Sequence, residues 1–412
     1  MIPKSSFGPS PPAVTTWFEE NGNFHMPRFY GLERFGDAEI DERTDGDAMA
    51  DFAFTGTLRD VQQKAVDAVI PKYFELTPGE KPVIGGNGAM ICIPCGFGKT
   101  ILAVYLITQV LKRKACVMVH KGVIRDQWKE AFERFCPGIR VGIIQGKLWE
   151  VDGYDVTIAM VMTLAKRNLA PSHMSTFGTV CVDECHHLAA PVMSRAMRSF
   201  AARNVLGLTA TKERPDGLTP LLHWTLGPEG FRTERSGGES VNVSIALFPT
   251  GIKEIRTRDG KPLTSIMLTN LAEHVKRNQF ISSRIANMRA TGRVIMVLSD
   301  RIRHLENIAT MLSGLGILDS DVGMFHAATK EGDRGEQLAR PIVLCSYGMA
   351  NEGLDKKEAD TLIMAGPKGR VIQCIGRIQR ECHTKKSPLV LDIVDDVPCF
   401  QQLRWTRQRL YN

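Results

Sequence analysis

The chain is 412 residues long and 43% hydrophobic, enough for two or three domains with sizeable cores, which excludes a disordered protein. Its net charge of +7 is unevenly placed: residues 1–51 carry 4 Lys/Arg against 10 Asp/Glu, a balance of −6 that leaves +13 on residues 52–412. No run of about 18 apolar residues occurs and the Pro/Ser-rich start, Met1 to Pro12, has no signal-peptide core, so a soluble intracellular protein of the cytoplasm or nucleus is expected, not a membrane one. Many of the ten cysteines lie in apolar runs such as Ala115-Cys116-Val117-Met118-Val119, which suits reduced buried thiols over a disulfide framework. A basic body suits a polyanionic partner, or is simply solvated surface charge.

Residues 1–51 form an N-terminal extension. Its first twelve residues have the composition of a disordered segment; Thr16 to Gly36, rich in aromatics, is expected to dock as a small element, and Asp37 to Asp51 to form an acidic linker or surface arm. Leu58-Arg59-Asp60-Val61-Gln62 then leads into a helical pattern, where an arginine face and the Gln62 amide suit either adenine recognition or the polar side of an ordinary helix.

Met90 to Thr100 reads as strand, glycine loop and helix. A glycine loop at a helix start lets backbone N–H groups crowd round an anion, so Pro94, Cys95, Gly96, Phe97 and Gly98 would cradle phosphates, with Lys99 on the β- and γ-phosphates and Thr100 on Mg²⁺. The match to G-x-x-x-x-G-K-[ST] is imperfect because Ile93 stands at the first glycine position. Beyond it, apolar strand patterns at Cys116 to Val119, Val141 to Ile144, Val156 to Met162, Thr179 to Asp183 and Val205 to Thr209 alternate with helices, including Val123 to Phe135. Such alternation predicts a parallel sheet covered by helices.

Asp183 and Glu184 end one of these strands, where in a phosphate-loop ATPase Asp183 would hold Mg²⁺ and Glu184 would act as base or position the attacking water. A zinc site from Cys181, Cys185, His186 and His187 is the rival, disfavoured because alternate residues of a strand point to opposite faces. Thr209-Ala210-Thr211 ends the next strand with hydroxyls able to bond the acids, or is an ordinary strand-to-loop transition.

A second series of strands follows at Val294 to Leu298, Val322 to Phe325, Ile342 to Cys345, Thr361 to Met364 and Leu389 to Val394, with a helix over Ile302 to Leu312. Turn signals between Pro228 and Pro262 place the boundary near 245, giving domains 52–245 and 246–412. In the second, Gln373, Arg377 and Arg380 form one helical stripe, suited to arginine fingers, to phosphate-backbone contact, or to solvent. The tail Leu403 to Tyr411 mixes cations and aromatics and is expected to be a capping helix, with nucleic-acid or partner contact as the alternative.

Gly96-Phe97-Gly98-Lys99-Thr100, Asp183-Glu184-Cys185-His186, Thr209-Ala210-Thr211, Gly353-Leu354-Asp355 and Gln373 to Arg380 stand in the order found in superfamily 2 DExH helicases and translocases, which the chain resembles over roughly residues 52 to 400. Leu58 to Gln62, Arg125-Asp126-Gln127-Trp128 and Thr209 to Gly217 resemble the XPB-like branch, which includes phage and large DNA virus helicases; Pro27-Arg28-Phe29-Tyr30-Gly31 resembles a segment of the viral members. His120 and Lys212 stand where many relatives have proline.

The resemblance implies an α/β fold of two tandem RecA-like domains with an interdomain cleft for ATP and Mg²⁺. It implies Arg59 and Gln62 at the adenine, Lys99 and Thr100 at the phosphates, Asp183 as metal ligand and Glu184 as base. From the second domain it implies Gly353 and Asp355 at the nucleotide, with Gly353 also in the coupling loop, and catalytic Gln373, Arg377 and Arg380. Nucleic-acid contacts would be Lys121, Gly122, Gln127, Trp128 and Thr163, then Ser299, Arg301, Ser346 and Tyr347, binding phosphate without reading bases. The expected function is a nucleic-acid-dependent ATPase that moves 3′ to 5′ along one strand and unwinds duplexes, DNA favoured over RNA, as a monomeric motor with protein partners through its N-terminal extension. The alternatives are a non-unwinding translocase and a catalytically idle binding subunit.

Overall fold

The structure, a computed structural model, describes residues 13–74, 86–94, 96–167, 169–187, 190–210, 217–233, 241–352, 356–369, 371–379 and 385–411. The chain divides into two compact units, Met1–Arg235 and Ser236–Asn412.

In the first unit, a hairpin of β1 (Phe18–Glu20) and β2 (Asn23–His25) precedes a sheet built from β3 (Gly88–Cys92), β4 (Ala115–Val119), β5 (Val141–Gln145), β6 (Leu148–Trp149), β7 (Val156–Met160), β8 (Thr179–Val182), β9 (Asn204–Thr209) and β10 (Glu229–Arg232). Their order is β10-β3-β9-β8-β4-β7-β5-β6, parallel except for β6 against β5. β3, β4, β8 and β9 are buried along their whole length, because helices cover both faces of a parallel sheet. That is why these strands read as unbroken apolar runs. Helix Gly122–Phe135 packs through Ile124, Trp128 and Phe132, one residue per turn on a single face. Helix Lys99–Tyr105 widens into a π turn over Leu106–Leu111, which ends where Lys112 takes a left-handed φ of 48°.

The N-terminal extension is docked on this unit. From helix Arg28–Phe35, Arg28 donates to the carbonyls of Ala202 and Arg203, and burial pushes its pKa down to about 10. The arm expected over 37–51 is laced down by main-chain bonds: Thr44 N–H to Ala201 O (2.7 Å), Arg203 N–H to Thr44 O (2.9 Å), Lys114 N–H to Asp47 O (2.9 Å) and Met49 N–H to Lys112 O (3.0 Å). It passes so close that a Cβ on Gly178 would fall 1.8 Å from the Asp45 carbonyl oxygen. The acidic stretch is a surface arm held by backbone hydrogen bonds, with Asp45 also paired to Arg203 and Asp51 to Lys112, each at 2.6 Å.

The second unit carries β11 (Asn242–Phe248), β12 (Ile295–Leu298), β13 (Val322–Phe325), β14 (Ile342–Cys345), β15 (Thr361–Met364) and β16 (Leu389–Asp395), all parallel, in the order β11-β16-β15-β12-β14-β13. β11 straddles the boundary expected at 245/246 and pairs with β16 from Asn242↔Leu389 to Phe248↔Asp395, so this sheet begins earlier than expected. Its partly exposed, alternating burial is that of an edge strand, which lacks the apolar run of a central one. Helix Pro398–Tyr411 caps the unit: Arg407 bonds both oxygens of Asp392 at 2.8 Å, and Tyr411 Oη donates to Asp392 at 2.9 Å. These are two parallel α/β units of RecA-like type, as the motif order implies.

Candidate functional site

The site of the first unit grows from the C-terminal ends of β3, β8 and β9. Ile93 N–H donates to Thr209 O at 3.0 Å and its side chain is fully buried, so Ile93 extends the β3 ladder. The residue at the missing glycine position is therefore a core residue, and the turn begins only at Pro94. Gly96 and Gly98 then take φ of 90° and 79°, the left-handed region that glycine enters without strain, and Gly98 starts helix Lys99–Tyr105. A Cβ on Gly98 would come 2.5 Å from Gln62 Nε2. Cys95 lies outside the described residues.

Gln62 is where the structure departs most from the expected role. Its Nε2 donates to Phe97 O (3.2 Å) and Gly98 O (2.9 Å), while its Oε1 accepts from Arg59 N–H (2.8 Å). The amide is 2% exposed and its bonds go to the loop. Gln62 therefore braces the phosphate loop, and Arg59 is exposed at the start of the same helix.

Lys99 Nζ lies 3.2 Å from Glu184 Oε1, with the two side chains 9% and 15% exposed. The motifs, 85 positions apart in the sequence (184 − 99), thus meet in space. Glu184 has a φ of 44°, uncommon for a residue with a Cβ, and this turn at the end of β8 aims its carboxylate at the loop. Asp183 is buried: Trp128 Nε1–H donates to its Oδ2 at 2.7 Å and Glu184 N–H to its Oδ1 at 2.9 Å. Burial, then the Glu184 charge, push the Asp183 pKa up to about 6, against the pull of Lys99 and the indole donor. An acid whose ionised form burial disfavours gains from a cation brought beside it, so the donor set of Asp183 and the Thr100 hydroxyl fits a hard divalent ion carrying phosphate and water ligands.

His186 Nδ1 sits 2.8 Å from Thr209 Oγ1 and 3.3 Å from Glu184 Oε2. Thr209, whose hydroxyl was read as able to bond the acids, meets this histidine, which also lies beside Glu184. The signal was present in the run Asp183-Glu184-Cys185-His186, but a histidine's partner across two strands is not written in local sequence. Cys181 and Cys185 are enclosed thiols with pKa values raised by burial. Thr211 lies outside the described residues.

Among the expected strand contacts, Lys121 and Gly122 open helix Gly122–Phe135 and Gln127 is half-buried. Trp128 beside it is fully enclosed, so it bonds Asp183 and does not face a strand. Thr163 Oγ1 accepts from Gly146 N–H at 3.1 Å, and Arg167 donates to Gly146 O at 2.7 Å, which pins the β5–β6 turn.

In the second unit Ser299 is 2% exposed, and its hydroxyl meets His304 Nδ1 at 2.9 Å and Arg301 N–H at 3.2 Å. Tyr347 is fully buried and donates to Gly366 O at 2.6 Å. Both residues shape loops from within and are not surface contacts. Arg301 donates to Ser265 from the surface, and Ser346 is half-buried at the start of helix Tyr347–Glu352. Gln373 and Arg377 lie in helix Ile372–Ile378, 7% and 8% exposed, with Arg377 Nε donating to Ala350 O at 3.2 Å. Gly353, Asp355 and Arg380 lie outside the described residues.

The chain matches the family described as Type III restriction enzyme, res subunit (ResIII) over residues 55–214. It is 31% identical over 386 residues to a protein of Acanthamoeba polyphaga mimivirus that carries the name of an ATP-dependent RNA helicase, L396, covering 92% of this chain and 72% of that one. With helicase 161L of Invertebrate iridescent virus 6 it shares 26% over 380 residues, 87% of this chain and 81% of that protein. The crystal structure of T4 UvsW aligns over 95% of this chain and 88% of that one at 15% identity and a TM-score of 0.35, too loose to carry residue roles. On the mimivirus relative and the matched family together, the chain belongs to the superfamily 2 helicases and is an ATP-dependent helicase.

Proposed function

We propose that the chain is a nucleic-acid-stimulated motor of the XPB-like branch that moves 3′ to 5′ along a single strand and opens duplexes, with DNA as the preferred track. The observation that carries this reading is the Lys99–Glu184 pair at 3.2 Å above the buried Asp183. Lys99 exchanges Glu184 for the β- and γ-phosphates of ATP, and Glu184, released, takes a proton from the attacking water. Asp183 and Thr100 would hold Mg²⁺, which when bound would supply positive charge to the phosphate oxygens. Gly96 and Gly98 let backbone N–H groups approach the anion, and Gln62 keeps the loop in shape.

Arg377 and Arg380 stabilise the charge on the transferred phosphoryl group, and Gln373, Gly353 and Asp355 complete that coupling; the motif order supports this part. Lys121, Gly122, Gln127, Thr163, Arg301 and Ser346 form the track, contacting phosphates without reading bases. The basic balance of residues 52–412 favours such a polyanion.

ATP turnover measured alone, with single-stranded DNA and with single-stranded RNA tests the assignment. The expected result is stimulation, larger with DNA; absence of stimulation by either overturns the motor reading. Larger stimulation by RNA, the substrate in the mimivirus relative's name, reverses the preference. Forked duplexes with a 3′ or a 5′ tail report direction, and strand-stimulated turnover without opening either fork makes the chain a translocase. Arg377→Ala should cut turnover by about 10³-fold with MgATP still bound; unchanged turnover removes Arg377 from the chemistry.

A further inference from the structure

The tryptophan of the Gln127-Trp128 pair is absorbed neither by the ATP site as the sequence frames it nor by the track. Its side chain is fully buried between Ile124 and Phe132 on the same helix face, with the Phe132 ring centroid 5.8 Å away. A phenyl ring would fill this core without introducing a donor. An indole introduces a donor, and a buried N–H is stable only where an acceptor meets it. Here the acceptor is Asp183 Oδ2, at 2.7 Å and 55 residues further along the chain.

The other oxygen, Oδ1, takes the N–H of Glu184 at 2.9 Å. One protein donor on each oxygen fixes the plane of the carboxylate and leaves the remaining lone pairs for a ligand. The two donors come from different places: Glu184 is the next residue, whereas Trp128 arrives on helix Gly122–Phe135, whose start carries Lys121 and Gly122. Ile124 and Phe132 are buried one turn away on each side of Trp128, so the position of the indole follows that of the helix.

We propose that Trp128 is a positioning residue for the metal-binding acid: its indole N–H sets the orientation of Asp183, so that the helix carrying Lys121, Gly122 and Gln127 governs how Mg²⁺ is held with the nucleotide. The proposal rests on the assignment of Asp183 to Mg²⁺ made above. It gives Gln127 and Trp128 opposite duties on one helix, one toward the track and one toward the acid.

The test is the binding of a fluorescent ADP to the full chain as Mg²⁺ is titrated, without nucleic acid and without turnover. Trp128→Phe is expected to raise the Mg²⁺ concentration needed at least about ten-fold, the size of effect typical when an outer-shell partner of a metal ligand is lost, while affinity for metal-free ADP stays unchanged. Phe132→Leu disturbs the same packing and keeps the donor, so it should leave the Mg²⁺ midpoint where it is. Should Trp128→Phe not fold, benzothienylalanine at position 128, which keeps the ring shape and replaces N–H by sulfur, takes its place. An unmoved midpoint, an equal loss with and without Mg²⁺, or the same shift in Phe132→Leu overturns the role of Trp128. A wild-type chain that binds ADP regardless of Mg²⁺ overturns the metal assignment of Asp183 along with it.

Discussion

In the first unit Lys99 meets Glu184 at 3.2 Å with the two side chains 9% and 15% exposed, whereas in the second Arg277 meets Asp395 at 2.6 Å with neither exposed at all. Arg277 also bonds the second oxygen of Asp395 at 3.0 Å and the Ala365 carbonyl at 2.7 Å, with His304 3.5 Å from its NH1. His304 in turn joins Ser299 and Asn278, and Asn278 Nδ2 donates to Ala272 O, which orients the amide so that its oxygen accepts from His304 Nε2–H. Both clusters stand near the C-terminal ends of parallel strands, where α/β sheets place ligands. They differ in how readily a partner can be exchanged. A partly exposed pair can be opened by an incoming anion; an enclosed two-pronged pair cannot, because opening it strands a charge away from water. The first cluster is suited to chemistry and the second to holding helices Val275–Ala290 and Ile302–Gly314 against β16.

The largest effect that sharpens this contrast is Glu184→Gln, expected to lower ATP turnover by about 10²- to 10⁴-fold while MgATP still binds and the unfolding midpoint stays close to wild type. Unchanged turnover would remove Glu184 from the chemistry. Arg277→Met should do the reverse, costing about 3–5 kcal/mol in denaturant unfolding because Asp395 is left buried and unpaired. If it lowers turnover of folded protein without lowering stability, the division between the two clusters fails.

The third prediction uses pH. Burial, then Arg277, push the His304 pKa down to about 3 from its ordinary 6.5. Below pH 6.5 the unfolded chain therefore takes up a proton that the folded chain refuses, so this contribution is full above about 6.5 and is lost as pH falls toward 3, by about 1.4 kcal/mol per pH unit at most. His304→Gln should flatten that part of the stability profile; identical slopes in the two proteins count against a neutral, enclosed His304. The smallest expected effect is that of Thr209→Val. Loss of its hydroxyl bond to His186 should cost about 1 kcal/mol, seen as a roughly five-fold fall in turnover at unchanged nucleotide affinity.

The legibility of the chain followed the same physics. Central strands such as β4, β8, β12 and β14 are buried on both faces and could be read directly as apolar runs. Edge strands β10 and β11 are half-covered, so they passed for the turn-rich boundary between Pro228 and Pro262. Composition left residues 37–51 open between a linker and a surface arm, because the main-chain bonds that hold the arm are invisible in composition.

Residue types, their order and their periodicity were enough to place Lys99 at a helix start and Asp183 and Glu184 at a strand end, and to mark the helices between them, since those properties are local. The direction each side chain faces depends on neighbours distant in sequence, and only the folded chain decided it. Gln62 turned to the loop, Trp128 turned 55 residues forward to Asp183, Tyr347 and Ser299 turned inward, and Ile93 became strand core in place of a loop glycine. A buried donor or acceptor must find its complement somewhere in the fold, and that complement is set by packing rather than by the residue next door.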